Sequence, residues 1–267
     1  MKYKNTRPVG KKPSSGHDYW GGVDFQEHLK LTKFQTTYLY LLKNYPPPQT
    51  MLEAGCGIGR WVIPLSKENY NVTGIEIEEE ALNIIRQNYT ADNLTLVHGD
   101  IGNMDFSDKI FDIIVSLGVF EHIEYLSELK NAIHEHKRAL KDEGILLITI
   151  PYLSCVRFLT HIPYLKLRSL IRFLKGKKSF FTDYCYSKRE FQKILESCNL
   201  KVIDIVWDDL LEPYNFGLTG DYPLNRLFRS KDIPYKANKL GNFVFKTLWR
   251  IHPRLVSGGI GYICKKA

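Results

Sequence analysis

The sequence lacks several features that would assign it to a common class of protein. No stretch of its 267 residues approaches the roughly 18 consecutive apolar residues of a membrane-spanning helix. Its five cysteines are scattered and include no C-x-x-C pair, which argues against a disulfide framework and against a zinc site. The basic N-terminus has no apolar stretch behind it, so no signal peptide is predicted. These absences favour a cytoplasmic protein, and no metal site is predicted.

Acidic residues are also missing from one long segment. No Asp or Glu occurs between Gly144 and Thr182, although the same segment contains seven basic residues. The chain as a whole has a formal charge of +8, but this charge is segregated along the sequence. Residues 1–50 carry +5, residues 51–150 carry −9 and residues 151–267 carry +12. The basic flanks indicate an acidic partner, such as substrate phosphates, nucleic acid or a membrane surface.

A glycine-rich turn at residues 51–60 (MLEAGCGIGR) is the most informative stretch of the chain. An apolar strand ends at Glu53 and a helix-like segment follows, so the glycines occupy a strand-to-helix turn where a ligand can contact the backbone closely. Dinucleotide-binding turns have Gly or Ala where this chain has Arg60. A carboxylate at Glu53 suits the cationic amino-acid end of S-adenosylmethionine (SAM) better than a pyrophosphate.

Acidic residues follow successive apolar strands in the same region. The strand at 71–75 ends in Glu76, 21 residues after Gly55. This spacing is near the roughly 20 residues expected for an acid that binds ribose hydroxyls. The next two strands run into Asp100 and Glu121. Because ligands of open parallel sheets bind at the carboxyl ends of the strands, these acids predict one shared ligand site.

These pieces resemble the class I SAM-dependent methyltransferases, specifically the type 11 (ubiquinone/menaquinone methyltransferase-like) group. The matching segments lie within about residues 50–151 and read LEAGCGIGR, VTGIEIEEEAL, LVHGDI, FDIIVSLGVFEHI and GILLITIP. The resemblance implies an α/β fold with a Rossmann-like, doubly wound, seven-stranded sheet whose last strand is antiparallel, with helical insertions after strands five and six. It also implies a methyltransferase with SAM as its cofactor.

The resemblance further implies which residues contact the cofactor. Glu53 and the glycines would hold the methionine part, Glu76 the ribose, and Asp100 with Ile101 the adenine. Residues 116–121 would line the floor near the methyl group. The complete predicted set is Glu53, Gly55, Cys56, Gly57, Gly59, Glu76, Ile77, Asp100, Ile101, Ser116, Leu117 and Glu121.

His122 is the candidate catalytic residue, because it is the one histidine at the predicted active-site edge. It could act as a general base, it could ligate a metal together with Glu121, or it could fix the loop. His161 is a second candidate base in the basic segment, and Tyr152 is a candidate on the substrate side. Tyr19 and Trp20 are interpreted either as a lid on the cofactor pocket or as an apolar anchor for the N-terminal arm.

We divide the chain into six segments. They are an N-terminal arm and helix (1–49), a SAM-binding core (50–151), a basic cap insertion (152–186), the late helix and sixth strand of the core (187–210), a second insertion (211–253) and the last strand (254–267). The first 16 residues are expected to form a disordered or loose arm, because they are rich in Lys, Pro, Ser and Gly. Helical spacing extends from about residue 25 to residue 42.

The basic cap insertion contains a second recognisable pattern. Four apolar residues recur at helical spacing with basic residues between them, namely Leu167, Leu170, Ile171 and Leu174. This pattern is typical of a basic amphipathic helix that lies on an anionic membrane or caps an acidic ligand over the acceptor site. A solvated helix packed on the core is the alternative.

The acceptor of the methyl group is predicted from motifs that are absent. No Asn/Asp-Pro-Pro-Tyr box and no Pro-Cys pair follow the fourth strand, so an O or C atom of a small or lipid-linked metabolite is favoured. The alternatives are an RNA methyltransferase, which the pI of about 9.1 permits but no recognised RNA-binding module supports, and a non-catalytic SAM-binding subunit. An NAD-dependent oxidoreductase is disfavoured by Arg60.

Overall fold

The computed structural model describes residues 2–8, 24–176, 179–219, 226–230, 233 and 235–267. Seven strands form its main sheet: β2 (Thr50–Ala54), β3 (Asn71–Glu76), β4 (Leu94–His98), β5 (Phe111–Leu117), β6 (Leu140–Pro151), β8 (Leu200–Asp208) and β9 (Gly259–Lys266). Their order is β4-β3-β2-β5-β6-β9-β8, and β9 is antiparallel to both of its neighbours. The predicted doubly wound sheet with an antiparallel last strand is therefore confirmed.

Eight α-helices accompany the strands in the described part of the chain. They are α1 (Phe25–Thr32), α2 (Thr36–Asn44), α3 (Val62–Lys67), α4 (Glu79–Asn88), α5 (Leu126–Ala139), α6 (Ile162–Leu174), α7 (Lys188–Ser197) and α8 (Lys239–Ile251). Short 3₁₀ turns span Phe120–His122 and Pro253–Leu255, and a π-helical turn spans Arg157–His161.

The central strands are buried on both faces, which explains why they read as nearly continuous apolar runs. Successive side chains of a strand point to opposite faces, so neighbours in sequence enter different cores. Leu52 and Ile114 belong to one apolar cluster, whereas Met51 and Ile113 belong to the other. Two cores of this kind hold helices on both sides of the sheet and leave the carboxyl ends of the strands free for a ligand.

The N-terminal region departs from the prediction. Strand β1 (Lys2–Pro8) pairs antiparallel with β7 (Ser179–Tyr186) in a separate two-stranded sheet. The prediction of a loose arm is therefore wrong for residues 2–8, because their pairing partner lies more than 170 residues away in sequence. The remainder of the arm, including Tyr19 and Trp20, lies outside the described residues.

The single helix predicted from residue 25 to residue 42 is two helices, α1 and α2. The break between them places Gln35 inside the molecule, where its Nε2 donates to the Asp208 carboxylate at 3.0 Å. The Trp61 Nε1 donates to the Gln35 Oε1 at 3.0 Å. The break thus attaches the N-terminal helices to the glycine-rich turn and to the end of β8.

Asp209 connects the second insertion to the sheet. Directly after β8, its buried carboxylate accepts hydrogen bonds from the backbone N–H groups of Leu210, Phe216, Gly217 and Gly258, at 2.5–3.1 Å. Burial raises the pKa of this carboxyl to about 6 despite these donors, so it is largely ionised at neutral pH. The carboxylate therefore fixes the start of the second insertion beside the turn that precedes β9.

We expect Asp209→Ala to lower the free energy of unfolding by about 3–5 kcal/mol, because each buried donor left without a partner costs roughly 1–3 kcal/mol. Asp209→Asn retains one acceptor oxygen and should lose less. Urea unfolding at neutral pH, followed by circular dichroism, measures both variants. A loss below about 1 kcal/mol in Asp209→Ala would contradict this structural role.

Candidate active site

A cleft of about 800 Å³ opens at the carboxyl edge of the main sheet. Its walls include residues at the ends of several strands: Glu53 near the end of β2, Glu76, Leu117 and Asp208 as the last residues of β3, β5 and β8, Ile150 in β6, and Asp100 just after β4. The topology accounts for this convergence, because parallel strands end at the same edge of a sheet. The predicted ligand site and the cleft therefore coincide.

The glycine-rich turn forms one wall of the cleft. Its backbone conformation would be strained in residues other than glycine. Gly55, Gly57 and Gly59 all have positive φ angles, of +80°, +52° and +87°. A Cβ atom at Gly55 would lie 2.5 Å from the Cγ2 of Val119. The backbone N–H groups of Gly55 and Cys56 both donate to the Ile75 carbonyl, at 2.8 and 3.1 Å. The turn is thus held against the end of β3.

Glu76 is fixed at the tip of β3 by three backbone donors. Its Oε2 accepts from the Gly57 N–H at 2.9 Å, and its Oε1 accepts from the N–H groups of Ile77 and Glu78 at 2.9 and 3.1 Å. These bonds orient the carboxylate at the edge of the cleft. They also connect it directly to the glycine-rich turn, so a change at Glu76 alters two parts of the site.

Glu53 lies buried at the end of β2. Its Oε2 accepts from the Val62 N–H at 2.8 Å, at the first turn of α3. Burial raises the pKa of this carboxyl to about 8, although the Val62 N–H and the charge of Arg60 act in the opposite direction. Glu53 is therefore largely protonated at neutral pH, and the cation of a bound ligand beside it would favour the ionised carboxylate.

We expect the affinity for SAM to rise from pH 6 to pH 8 and the rise to be smaller in Glu53→Gln. A cationic ammonium beside Glu53 favours the ionised carboxyl, so at a pH below about 8 binding must first remove a proton. Each pH unit below the pKa then costs up to about tenfold in affinity. Calorimetry in buffers of different ionisation enthalpy measures both the affinity and the released proton. Equal pH slopes in the two proteins would contradict this role of Glu53.

Glu121 and His122 stand on the 3₁₀ turn that follows β5. Glu121 is buried, and burial raises the pKa of its carboxyl to about 7. Its Oε2 has no hydrogen-bond partner among the described residues, and its Oε1 lies 4.0 Å from the Nε2 of His122. The His122 side chain is largely exposed and lines the cleft. The pair thus presents a carboxyl and an imidazole to the same space.

The structure brings most of the predicted site residues together. Ten of the twelve predicted cofactor residues line the cleft, as does His122: the ten are Glu53, Gly55, Cys56, Gly57, Glu76, Ile77, Asp100, Ile101, Leu117 and Glu121. Gly59 instead packs against α3 and α4, where a Cβ atom would lie 3.0 Å from Ile63 and Ile85. Ser116 is buried and donates to the Ala54 carbonyl at 3.2 Å. The individual cofactor contacts stay predictions.

Tyr152 and His161 are not among the residues that line the cleft. The Tyr152 ring contacts the Trp207 ring edge-on, with 5.0 Å between centroids. His161 is buried at the start of α6, where burial and the charge of Arg157 lower the pKa of its imidazole to about 3. No described residue of 152–186 lines the cleft, and the cap over the acceptor site stays a prediction.

Several residues that line the cleft were not predicted from the sequence, among them Arg60, His28, Phe216 and Tyr235. In the sequence, Arg60 only distinguishes the turn from a dinucleotide-binding fingerprint. In the structure it lines the cleft, and its Nε has no hydrogen-bond partner among the described residues. His28 comes from α1, and burial lowers the pKa of its imidazole to about 4. Phe216 and Tyr235 come from the second insertion, with 5.3 Å between their ring centroids. No local motif marks any of them as part of a site.

Within the described residues, no group of three or more His, Cys, Asp and Glu side chains is arranged to hold a metal ion. None of the helices in the described ranges is long and apolar enough to cross a membrane.

Comparison with known proteins places the same region in a family. Residues 52–148 match the model of a family described as a methyltransferase domain, Methyltransf_11. A demethylmenaquinone methyltransferase of Staphylococcus epidermidis is 30% identical over 130 residues, which are 47% of this chain and 51% of the relative. The chain thus spans about half the length of this curated relative.

Solved structures share the fold over a longer part of the chain. A Haloferax volcanii methyltransferase, solved in complex with the Trm112 methyltransferase activator, has a TM-score of 0.63 and 15% identity and covers 96% of this chain and 99% of its own. A protein of Pyrococcus horikoshii OT3 has a TM-score of 0.60 and 16% identity, with coverage of 94% and 99%. Residues 52–148, which contribute the glycine-rich turn and the strand-end carboxylates, therefore belong to the type 11 group of class I SAM-dependent methyltransferases.

Proposed function

We propose that the protein transfers a methyl group from SAM to an O or C atom of a metabolite that is acidic or lipid-linked. One observation carries this proposal. The glycine-rich turn, the strand-end carboxylates and the Glu121–His122 pair all line a single cleft. The cleft thus combines a site for a cationic cofactor with a candidate base.

The residues present fit SAM. The cofactor carries two positive charges, an ammonium and a sulfonium, and the walls of the cleft supply Glu53, Glu76, Asp100 and Glu121. The Glu121 Oε2 is buried without a hydrogen-bond partner among the described residues, which suits a position that faces a cationic ligand. When bound, SAM supplies an activated methyl group on a neutral leaving group.

The chain itself contributes placement and proton removal. Holding an acceptor in line with the methyl group supplies much of the rate enhancement for a displacement with a good leaving group. An acidic oxygen or carbon acceptor must also lose a proton, which a base within hydrogen-bond reach can accept. His122 is suited to this task, because it lines the cleft and lies 4.0 Å from the Glu121 carboxyl that would orient it.

The acceptor that this cleft favours is a planar, quinone-like ring. Two observations support this. The relative from Staphylococcus epidermidis is named for demethylmenaquinone. The second insertion contributes Phe216 and Tyr235, which form an aromatic wall in the cleft, and aromatic side chains pack well on flat rings.

The test is to incubate the protein with methyl-labelled SAM and, separately, with a lipid extract, a small-metabolite extract and an RNA extract. We expect label in the lipid or small-metabolite fraction and none with a Glu76→Ala variant as the matched control. Label in RNA would contradict the proposed acceptor. SAM binding without labelling of any fraction would instead indicate a non-catalytic SAM-binding protein.

A further inference from the structure

Helix α6 exposes its apolar side to solvent. Its residues Leu167, Leu170, Ile171 and Leu174 are spaced i, i+3, i+4 and i+7, so they share one face of the helix. This is the spacing by which a helix usually buries one side in a core. Here, however, the four side chains are 58%, 54%, 44% and 74% exposed.

The side of α6 opposite these four residues carries Arg172. Arg172 is only 8% exposed, and it lies two residues from both Leu170 and Leu174. Two residues correspond to about 200° around an α-helix, which places Arg172 opposite the apolar face. The exposure of the four apolar residues excludes the alternative in which they pack on the rest of the protein.

The exposed apolar surface extends beyond these four residues. Phe158 and Leu159, in the turns that precede α6, are 50% and 71% exposed, and Phe173 is 79% exposed. An apolar patch of this kind marks an interaction site in a water-exposed protein. We use the name apolar face for these residues together: Phe158, Leu159, Leu167, Leu170, Ile171, Phe173 and Leu174.

The charges around the apolar face identify its partner. Lys166, Arg168 and Lys175 are exposed on the same helix or at its end, and no acidic residue occurs from Gly144 to Thr182. A second copy of the chain would bring two basic helices together, which like charges oppose. An anionic lipid bilayer offers both a matching charge and an apolar interior.

We propose that the apolar face of α6 docks this protein on anionic lipid bilayers. The apolar side chains enter the boundary between headgroups and acyl chains, while the three cations contact lipid phosphates. Helix α6 follows β6 in the chain, and Ile150 and Pro151 of that strand line the cleft. Docking would thus hold the cleft close to lipid-linked molecules, although the docking itself requires neither SAM nor methyl transfer.

The test is flotation of the full chain with vesicles of phosphatidylcholine alone or of phosphatidylcholine mixed with phosphatidylglycerol. We expect flotation with the mixed vesicles only, and weaker flotation at high salt. One variant combines Leu167→Asn, Leu170→Asn and Leu174→Asn, and a second combines Lys166→Glu, Arg168→Glu and Lys175→Glu. Each should reduce the vesicle-bound fraction about tenfold or more, because apolar burial and charge act together.

A matched control reverses three exposed charges elsewhere, Lys33→Glu, Lys43→Glu and Lys193→Glu. It should float like the wild type, since it has the same net charge as the second α6 variant but an intact α6. The proposal is overturned if the wild type stays in solution with both vesicles, if the Asn variant floats normally, or if the control loses as much as the α6 variants. Circular dichroism confirms folding, and SAM calorimetry tests the proposed function separately.

Discussion

Glu76→Ala should abolish detectable SAM binding while leaving the protein folded. The Glu76 carboxylate is oriented by three backbone N–H groups at the edge of the cleft, where it is predicted to accept both ribose hydroxyls. Hydrogen bonds to a charged acceptor contribute about 1.5–3 kcal/mol each, so the loss of two reduces affinity by roughly 10²–10⁴-fold. Calorimetry with SAM measures this loss directly.

The matched control is Glu79→Ala. It removes a carboxylate three residues further along the chain, where Glu79 contacts Arg86 outside the cleft. We expect SAM affinity within about twofold of the wild type, because electrostatic effects of an exposed charge are weak. If both variants lost affinity equally, general charge would explain the effect and the ribose assignment of Glu76 would fail.

A second variant, Gly57→Val, tests the same cofactor site without a change of charge. Gly57 has a φ angle of +52° and its N–H donates to Glu76, so Gly57→Val introduces a strained β-branched residue into the turn. We expect SAM binding to be lost in this variant. Its thermal unfolding transition should show that the protein is still folded. Unchanged affinity in a folded Gly57→Val variant would show that the turn does not contact the cofactor.

The core of the fold could be predicted because its signals are local. Strand β5 contains the apolar run Ile113-Ile114-Val115, which is buried on both faces of the sheet, and the glycines stand where the chain turns with positive φ. The strand-end acids follow from the same logic, since a parallel sheet brings successive strand ends to one edge. The sequence therefore predicts both the sheet and the glycine-rich turn and strand-end carboxylates of the cleft.

The structural features that the sequence did not predict depend on contacts between segments that are distant along the chain. The pairing of β1 with β7 joins Lys2 to Tyr186, and no pattern in the first eight residues specifies that partner. Phe216 and Tyr235 enter the cleft because Asp209 ties the second insertion to the turn before β9. The helical period around Leu170 predicted the helix α6, but a period alone does not tell whether the apolar side faces the core or the solvent.

His122→Ala should lower the turnover number by about 10²–10⁴-fold, the usual loss when a general base is removed. SAM affinity should change by less than about threefold, since His122 is predicted to contact the acceptor and not the cofactor. The measurement is the rate of label transfer at saturating SAM, beside calorimetry on the same preparation. His134→Ala is the matched control, because His134 is an exposed histidine on α5 that does not line the cleft.

A variant of the neighbouring Glu121 helps to distinguish a catalytic base from a structural residue at position 122. Its carboxyl lies 4.0 Å from the His122 Nε2, so Glu121→Gln keeps the shape of the side chain but removes a carboxyl group beside the imidazole. A base therefore predicts a large loss of turnover in His122→Ala, a smaller loss in Glu121→Gln and unchanged folding in both. A drop of less than about tenfold in His122→Ala would assign the imidazole to fixing the loop. Turnover by the wild type that depends on an added divalent cation, and fails in both variants, would instead identify the pair as metal ligands.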